Sequence, residues 1–219
     1  MKNVIITGSS GMIGNLILLK CINNNNIKNV TCISRKPLLI KHPKIIEVIH
    51  NDFLDFNLIS HYLQNQDICF YCLGVYTGQV SKEEFYKITV NYTEEFAKAL
   101  IENSNCTTFC FLSGQGADSK EKSKIMFARD KGIAENKLLK LSFYRTYIFR
   151  PGYIYPIVKR IEPNFNYKIF RIGYKYIMKF IYPNIGVTSE KLADVMLDVG
   201  LNLGNKTIYE NKDIRLFRI

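Results

Sequence analysis

The stretch Val4-Ile5-Ile6-Thr7-Gly8-Ser9-Ser10-Gly11-Met12-Ile13-Gly14 decides the fold. An apolar strand runs into three glycines at the spacing G-x-x-G-x-x-G, and a helix is predicted over residues 12–23. Gly8 permits the tight turn, Gly11 lets the backbone approach a pyrophosphate, and Gly14 lets the helix pack close to the strand. The unpaired N–H groups at the helix N-terminus suit phosphate oxygens. This stretch therefore predicts a dinucleotide-binding loop, and the alternative is a strand-to-helix turn without a ligand.

Strands and helices alternate over the first 150 residues. The predicted strands lie at residues 4–6, 30–33, 45–49, 68–73, 108–112 and 145–149, and the predicted helices at 12–23, 58–64, 81–102 and 123–141. Strands that alternate with helices form right-handed β-α-β units. The sequence therefore predicts an α/β fold with a doubly wound parallel Rossmann sheet covered on both faces.

The alternation breaks after Gly152. The remaining expected elements are loop and helix at 153–186, a helix at 189–203 and a strand at 207–210. Because doubly wound sheets bind ligands at the carboxyl ends of their strands, we expect residues 153–219 to form a small substrate-covering region. The chain is predicted to be one domain over residues 1–219, with a nucleotide-binding core at 1–152.

The composition is that of an ordinary globular domain with a basic bias. Of the 219 residues, 47% are hydrophobic and 22% are charged, and the formal net charge is +11. A basic balance suits nucleic acid, an anionic membrane or an anionic ligand. No nucleic-acid motif accompanies it, so no nucleic-acid partner is expected. The chain has no secretory signal and no apolar run of ~18 residues, which predicts a cytoplasmic location.

The six cysteines do not form a metal-binding pattern. Cys69 and Cys72 have the spacing of a ligand pair, but they lie in a predicted strand. Residues three apart on a strand point to opposite faces, so the pair cannot easily close on a metal. Buried small side chains are the better interpretation, and we expect no bound metal.

The end of the second strand carries the information on cofactor choice. An NAD-selective site has an acidic residue there, whereas this sequence has Ser34 and Arg35. A hydroxyl and a guanidinium suit a 2′-phosphate, which favours NADP(H) over NAD(H). The alternative is a solvated basic turn. Asp52 follows the third strand, where it can meet the adenine amino group or cap the next helix.

An ordered series of short motifs runs through nearly the whole chain. They are Thr7–Gly14, Asp52, Cys72-Leu73-Gly74, Asn91, Ser113-Gly-Gln-Gly-Ala-Asp118, Lys131-Gly132 with Glu135, Phe149-Arg-Pro-Gly152 and Glu210-Asn-Lys-Asp-Ile214. In this order they resemble the short-chain dehydrogenase/reductase superfamily, and within it the atypical branch that includes the Tat-interacting tumour-suppressor oxidoreductases. The resemblance implies the fold and a nicotinamide cofactor, with Phe53, Leu73, Gly74 and Pro151 among the cofactor contacts. It also implies pairing into a homodimer through the two long helices beside the active site.

The catalytic residues implied by the resemblance are a Ser after the fifth strand and a Tyr-x-x-x-Lys on the next helix. Ser113 and Lys131 match, and Asn91 matches an assisting Asn, or is an exposed helix residue. In such a set the Tyr hydroxyl exchanges the proton, the Lys holds the nicotinamide ribose, and the Ser orients the substrate oxygen. The Tyr position holds Phe127, which has no hydroxyl. Cofactor binding is therefore expected to survive, while ordinary carbonyl reduction is in doubt.

Three tyrosines follow strands near the expected nicotinamide site. Tyr76 follows the fourth strand, and Tyr153 and Tyr155 follow the sixth. Each is a weak candidate for the missing proton donor, because the chain has 14 tyrosines. Reduction of a flavin or quinone substrate would depend less on a side-chain proton donor in a fixed position.

A basic amphipathic helix is predicted over residues 167–181. Lys168, Arg171, Lys175 and Lys179 form one stripe at helical spacing, opposite an apolar face. Such a helix can lie on an anionic membrane. A lid over the substrate cleft is the favoured alternative, since Gly173 weakens the helix.

The favoured function is an NADP(H)-binding oxidoreductase acting on an unidentified small molecule. The first alternative is a non-catalytic NADP(H)-sensing or scaffold protein, which the Phe at position 127 favours. The second is an NAD-dependent sugar-nucleotide epimerase or dehydratase. Roughly 65 residues follow Gly152, whereas enzymes of that kind usually have a longer C-terminal substrate domain, so this alternative is less favoured.

Overall fold

The computed structural model describes residues 1–104, 107–156 and 186–218. The strands are β1 (Lys2–Thr7), β2 (Ile27–Ser34), β3 (Ile45–Ile49), β4 (Ile68–Tyr71), β5 (Thr108–Leu112), β6 (Arg145–Arg150), β7 (Tyr153–Tyr155), β8 (Gly186–Thr188) and β9 (Ile208–Glu210). The α-helices are α1 (Met12–Ile22), α2 (Lys82–Tyr86), α3 (Tyr92–Asn103), α4 (Met126–Leu139), α5 (Ser189–Asn202) and α6 (Asn211–Leu216). A 3₁₀ helix spans Asn57–Leu63 and a π-helical turn spans Lys87–Asn91.

Seven parallel strands form the central sheet in the order β3-β2-β1-β4-β5-β6-β9. The chain proceeds outward from β1 to β3, returns to β4 on the other side of β1, and then proceeds outward again. This reversal between β1 and β4 leaves a crevice at the carboxyl ends of these strands, where ligands of such sheets bind. The predicted α/β fold with a doubly wound parallel sheet is confirmed.

The two faces of the sheet are covered by different helices, because alternate residues of a strand point in opposite directions. Val4 and Ile6 belong to the core under α1 and α5, whereas Ile5 belongs to the core under α3 and α4. All three side chains are fully buried. The continuous apolar runs of the inner strands are thus explained by burial on both faces.

The long helix predicted over residues 81–102 is interrupted. It consists of α2, the π-helical turn at Lys87–Asn91 and α3. One extra residue in a helical turn cannot be detected from hydrophobic spacing, and such turns are frequent at functional sites. The fourth strand also ends earlier than predicted, at Tyr71, so that the backbone of residues 72–74 is free to line the crevice.

The C-terminal region contains elements that periodicity did not predict. β7 and β8 pair in parallel as a separate two-stranded sheet, and α6 follows β9 directly. The basic stretch at 167–181 lies outside the described residues. Among the described helices, none is long and apolar enough to cross a bilayer.

Candidate functional site

A cleft of about 1040 Å³ lies at the carboxyl ends of β1, β4, β5 and β6. Ten of the site residues expected from the sequence line it, and they are Ser10, Gly11, Met12, Ile13, Leu73, Gly74, Ser113, Phe127, Lys131 and Pro151. The cleft therefore joins the glycine-rich turn at one end to the Ser–Lys pair at the other. The expected residues that do not line it are Gly8, Ser9, Gly14, Ser34, Arg35, Asp52, Phe53 and Asn91.

The glycine-rich turn has the backbone geometry that its sequence predicts. Gly8 has a φ of +72°, in the region that favours glycine, and a Cβ there would lie 2.6 Å from the Cys72 carbonyl oxygen. A Cβ on Gly14 would lie 2.2 Å from the Gly8 carbonyl oxygen, so α1 can start this close to β1 only with glycine at that position. The expected roles of Gly8 and Gly14 thus have a direct steric basis.

The N-terminus of α1 faces the cleft with its amide groups available. Gly11 is the N-cap residue and supplies no side-chain cap, and the first turn carries no acidic residue. Met12 and Ile13, the first residues of the helix, line the cleft. Uncapped N–H groups and the positive end of the helix dipole attract phosphate. This end of the cleft therefore fits the pyrophosphate of a dinucleotide.

Ser34 and Arg35 stand at the end of β2, beyond the cleft lining. Ser34 is buried, and its hydroxyl donates to the Lys36 carbonyl oxygen at 2.7 Å. Its proton is thus engaged, and only its lone pairs are available. The Arg35 side chain is exposed to solvent, so of these two residues it is the one able to bind a 2′-phosphate.

Asp52 and Phe53 are placed differently from each other. Asp52 is exposed, and its Oδ1 accepts from the Leu54 amide at 3.0 Å, which is a local turn rather than a helix cap. Phe53 is 1% exposed and packs against Phe56 and Tyr92. Only the backbone of Phe53 is therefore available to a cofactor, since its ring belongs to the core.

Ser113 belongs to a buried charged network that the sequence did not predict. Its hydroxyl donates to Glu135 Oε1, and Glu135 is 1% exposed. The Arg150 guanidinium binds both oxygens of Glu135 and also Glu210 Oε1 at 2.9 Å and Ser119 Oγ at 2.8 Å. The bonds to Glu135 raise the pKa of Arg150 above its ordinary value. The network connects α4, β6 and β9 directly beneath the cleft.

Four of the motifs in the ordered series meet in this network. Ser113, Glu135, Arg150 and Glu210 come from the motifs at 113–118, 131–135, 149–152 and 210–214. Single charged residues in a helix and two strand ends carry no local signal of pairing. Only their order in the family motif could have suggested that they belong together.

Lys131 lies at the inner end of the cleft and is 8% exposed. Its Nζ donates to the Leu112 carbonyl oxygen at 3.3 Å and lies 5.1 Å from the centre of the Phe111 ring. Burial lowers the pKa of Lys131 to about 8, against an opposing effect of the Glu135 carboxylate. The ammonium is therefore held in a place where its charge is poorly solvated.

Phe127 lies one helical turn before Lys131 and also lines the cleft. Its Cζ is so close to Gly114 that a Cβ there would lie 2.5 Å away. Phe85 packs near the ring, with the centroids 6.3 Å apart. The phenyl ring thus occupies the side of the Ser–Lys site without offering a proton.

The candidate tyrosines and Asn91 are only partly brought to the cleft. Tyr76 and Tyr153 line the cleft, whereas Tyr155 does not. Asn91 is half-buried at the end of the π-helical turn and is not brought to the cleft lining. Within the described ranges, no three His, Cys, Asp or Glu side chains come together as metal ligands would.

Comparison with known proteins decides the family. Residues 4–130 match the model of the NAD dependent epimerase/dehydratase family. The chain belongs to this family. Rat protein HTATIP2 is 30% identical over 154 residues, which are 69% of this chain and 62% of the rat protein. Protein FMP52 of Debaryomyces hansenii is 30% identical over 149 residues, 67% of this chain and 64% of that protein.

These relatives confirm the resemblance to the atypical short-chain dehydrogenase/reductase branch. The matched segment spans less than two thirds of both relatives.

Among solved structures, a short chain dehydrogenase family protein from Francisella tularensis has a TM-score of 0.68 at 13% identity, and the match covers 98% of this chain and 99% of that protein. Gre2 of Candida albicans, solved with NADPH, has a TM-score of 0.73 at 14% identity and covers 96% of this chain and 78% of its own. At these identities the likeness shows a shared fold.

The predicted cytoplasmic location is contradicted by the relatives. Protein FMP52 of D. hansenii and the related proteins of Aspergillus niger, Emericella nidulans and Meyerozyma guilliermondii are named as mitochondrial. The prediction was wrong because it rested on the lack of a secretory signal. That observation separates secreted from retained proteins and does not distinguish the cytosol from mitochondria.

Proposed function

We propose that this protein is an oxidoreductase that binds NADP(H) and acts on an unidentified small molecule. One observation carries the proposal: a single cleft joins the uncapped N-terminus of α1 to the Ser113–Lys131 site. The first end suits a pyrophosphate, and the second has a hydroxyl and an ammonium for a ribose or a substrate oxygen. A bound nicotinamide would supply hydride transfer there.

The choice of NADP(H) over NAD(H) rests on Arg35. Its exposed guanidinium follows β2, and no acidic residue occupies the two positions at this strand end. The Ser34 hydroxyl already donates to Lys36. The charge-assisted contact with a 2′-phosphate is therefore assigned to Arg35, with Ser34 shaping the turn.

Calorimetry with NADPH and NADH tests both parts of the proposal. In Arg35→Ala the affinity for NADPH should fall roughly tenfold or more, because one charge-assisted phosphate contact is lost, while the affinity for NADH should stay unchanged. Arg145→Ala is the matched control, since Arg145 is an exposed arginine at the amino end of β6, whereas the cleft lies at the carboxyl end. It should leave both affinities unchanged.

The outcomes test separately whether the protein binds a nicotinamide nucleotide and whether it prefers NADP(H). Equal losses for NADPH and NADH in Arg35→Ala would contradict the assignment of the 2′-phosphate. If the wild-type protein bound neither nucleotide, the proposed function would be refuted.

A second candidate function is an NADP(H)-dependent sensor without catalysis, which the phenyl ring of Phe127 against Gly114 favours. A sensor would bind nucleotide tightly and change its amide hydrogen exchange around the cleft without turning over any carbonyl compound. Measurable NADPH oxidation by the wild-type protein would exclude it.

A further inference from the structure

Position 127 lacks the tyrosine hydroxyl that would be expected to move a proton. At position 127 the ring closes against Gly114 and ends in a carbon atom rather than a hydroxyl. A carbonyl oxygen reduced in this cleft must nevertheless gain a proton, because the alkoxide is far too basic to leave as such. If a side chain supplies this proton, it has to be another group at the inner end of the cleft.

The Ser113 hydroxyl is not suited to be that group. Its proton is donated to Glu135 Oε1, and the Glu135 carboxylate is buried and also bound by Arg150. Releasing the Ser113 proton towards a substrate would break a charge-assisted hydrogen bond in a buried network. Ser113 therefore offers only its lone pairs to the cleft, so it can accept a hydrogen bond but cannot donate one to a carbonyl oxygen.

The Lys131 ammonium has more N–H donors than the structure shows in hydrogen bonds. An ammonium has three N–H bonds, and the structure shows one accepted by the Leu112 carbonyl oxygen, next to Ser113. Glu135 lies one turn further along α4, but it binds Ser113 and Arg150 instead. Among the described residues, no carboxylate lies within 4.0 Å of Lys131 Nζ. The ammonium is thus partly bonded and lines the cleft.

We propose that the Lys131 ammonium itself donates the proton to the substrate oxygen, in place of the side chain at position 127. This inference rests on the proposed function. The hydride for the carbonyl carbon would come from a bound dihydronicotinamide, which would be oxidised in the exchange. As the C=O π bond breaks, an N–H bond of Lys131 breaks and an O–H bond forms on the substrate oxygen. The neutral amine of Lys131 then takes a proton from water.

The groups around Lys131 suit this exchange. On its own helix are Glu135, which is neutralised by Arg150, and the buried Asp130, which pairs with Arg129 at 2.9 Å. From the loop after β4 comes Cys72, whose pKa burial raises to about 12, so that it stays an uncharged thiol. Because burial holds the pKa of Lys131 at about 8, the ammonium predominates at neutral pH and still loses a proton readily.

Competitive acetylation tests the titration without nucleotide or substrate. The protein is treated with trace isotope-labelled acetic anhydride between pH 6 and 11, and each lysine is followed by peptide mass spectrometry. Lys131 should react with a midpoint near pH 8. Lys98 is the internal control, because Glu95 and Glu94 raise its pKa above the ordinary value. A Lys131 midpoint as high as that of Lys98 would overturn the proposal.

Lys131→Arg tests the proton transfer itself, because an arginine keeps the charge but does not deprotonate. NADPH oxidation with 4-nitrobenzaldehyde is the assay, and nucleotide affinity is measured alongside. The turnover should fall about 100-fold or more, with nucleotide affinity changed only a few-fold. In the wild-type protein the rate should decline above pH 8, and the variant should lose this decline. Lys98→Arg, on the exposed face of α3, should behave as wild type.

The outcomes distinguish this inference from the proposed function. Nucleotide binding with undiminished turnover in Lys131→Arg would refute the inference alone. Nucleotide binding without any aldehyde reduction by wild type would refute the inference and favour the second candidate function, the sensor without catalysis. Loss of the pH decline in Tyr76→Phe or Tyr153→Phe, rather than in Lys131→Arg, would assign the proton to that tyrosine. Failure of wild type to bind either nucleotide would refute the proposed function and, with it, this inference.

Discussion

Arg150→Met should destabilise the protein strongly, because it leaves a buried carboxylate without its cation. Glu135 is 1% exposed, and after the substitution the Ser113 hydroxyl would be the only hydrogen-bond partner left to it among the described residues. Removing one partner of a buried ion pair costs about 3–5 kcal/mol. The bond to Glu210 adds little, since that side chain is 48% exposed. We expect a loss of about 3–4 kcal/mol in the free energy of unfolding.

Urea denaturation measures this loss, and thermal unfolding should show a fall in Tm of about 10 °C. Arg145→Met is the matched control, because it changes an exposed arginine in the same strand and should cost less than about 0.5 kcal/mol. Arg150→Met combined with Glu135→Leu should regain most of the stability, since an apolar pair leaves no buried charge. A cost below about 1 kcal/mol for Arg150→Met, or a double variant no more stable than the single one, would refute the reasoning.

Two further predictions concern backbone contacts. Gly14→Ala should lower the thermal midpoint and abolish nucleotide binding, because its Cβ would lie 2.2 Å from the Gly8 carbonyl oxygen; Gly74→Ala, with no atom within 4 Å of the added Cβ, should keep the midpoint of wild type. Thr188→Ala should cost about 1 kcal/mol in urea denaturation, because the Thr188 side chain caps α5 by accepting from the Lys191 amide at 3.2 Å. Thr188→Ser should retain the cap, and equal losses in both Thr188 variants would contradict a capping role.

The fold was predictable because its signals are local. The apolar strand, the glycines at 8, 11 and 14 and the following helix are contiguous. Gly8 has a positive φ, and Gly14 packs against the Gly8 carbonyl oxygen within the same turn. Alternation of strands and helices then leaves few topologies, since β-α-β crossovers are right-handed. The parallel sheet follows from that pattern.

The candidate site was predictable in part. Ser113 and Lys131 come together in the cleft as their motif positions implied, yet Asn91 does not line it. Asn91 was assigned from its motif position, and it lies at the end of the π-helical turn at Lys87–Asn91. Hydrophobic spacing does not reveal such a turn, so the sequence did not predict the local backbone at this position.

By itself the sequence determined the parallel sheet, the phosphate-binding turn and the lack of a tyrosine at position 127, because each depends on residues that are adjacent or one helical turn apart. Only the tertiary structure decided that Glu135 binds Ser113 and Arg150 and so leaves the Lys131 ammonium partly bonded at the cleft. These partners come from different strands and helices. The electrostatics of the site follow from burial, which arises only when those elements pack together.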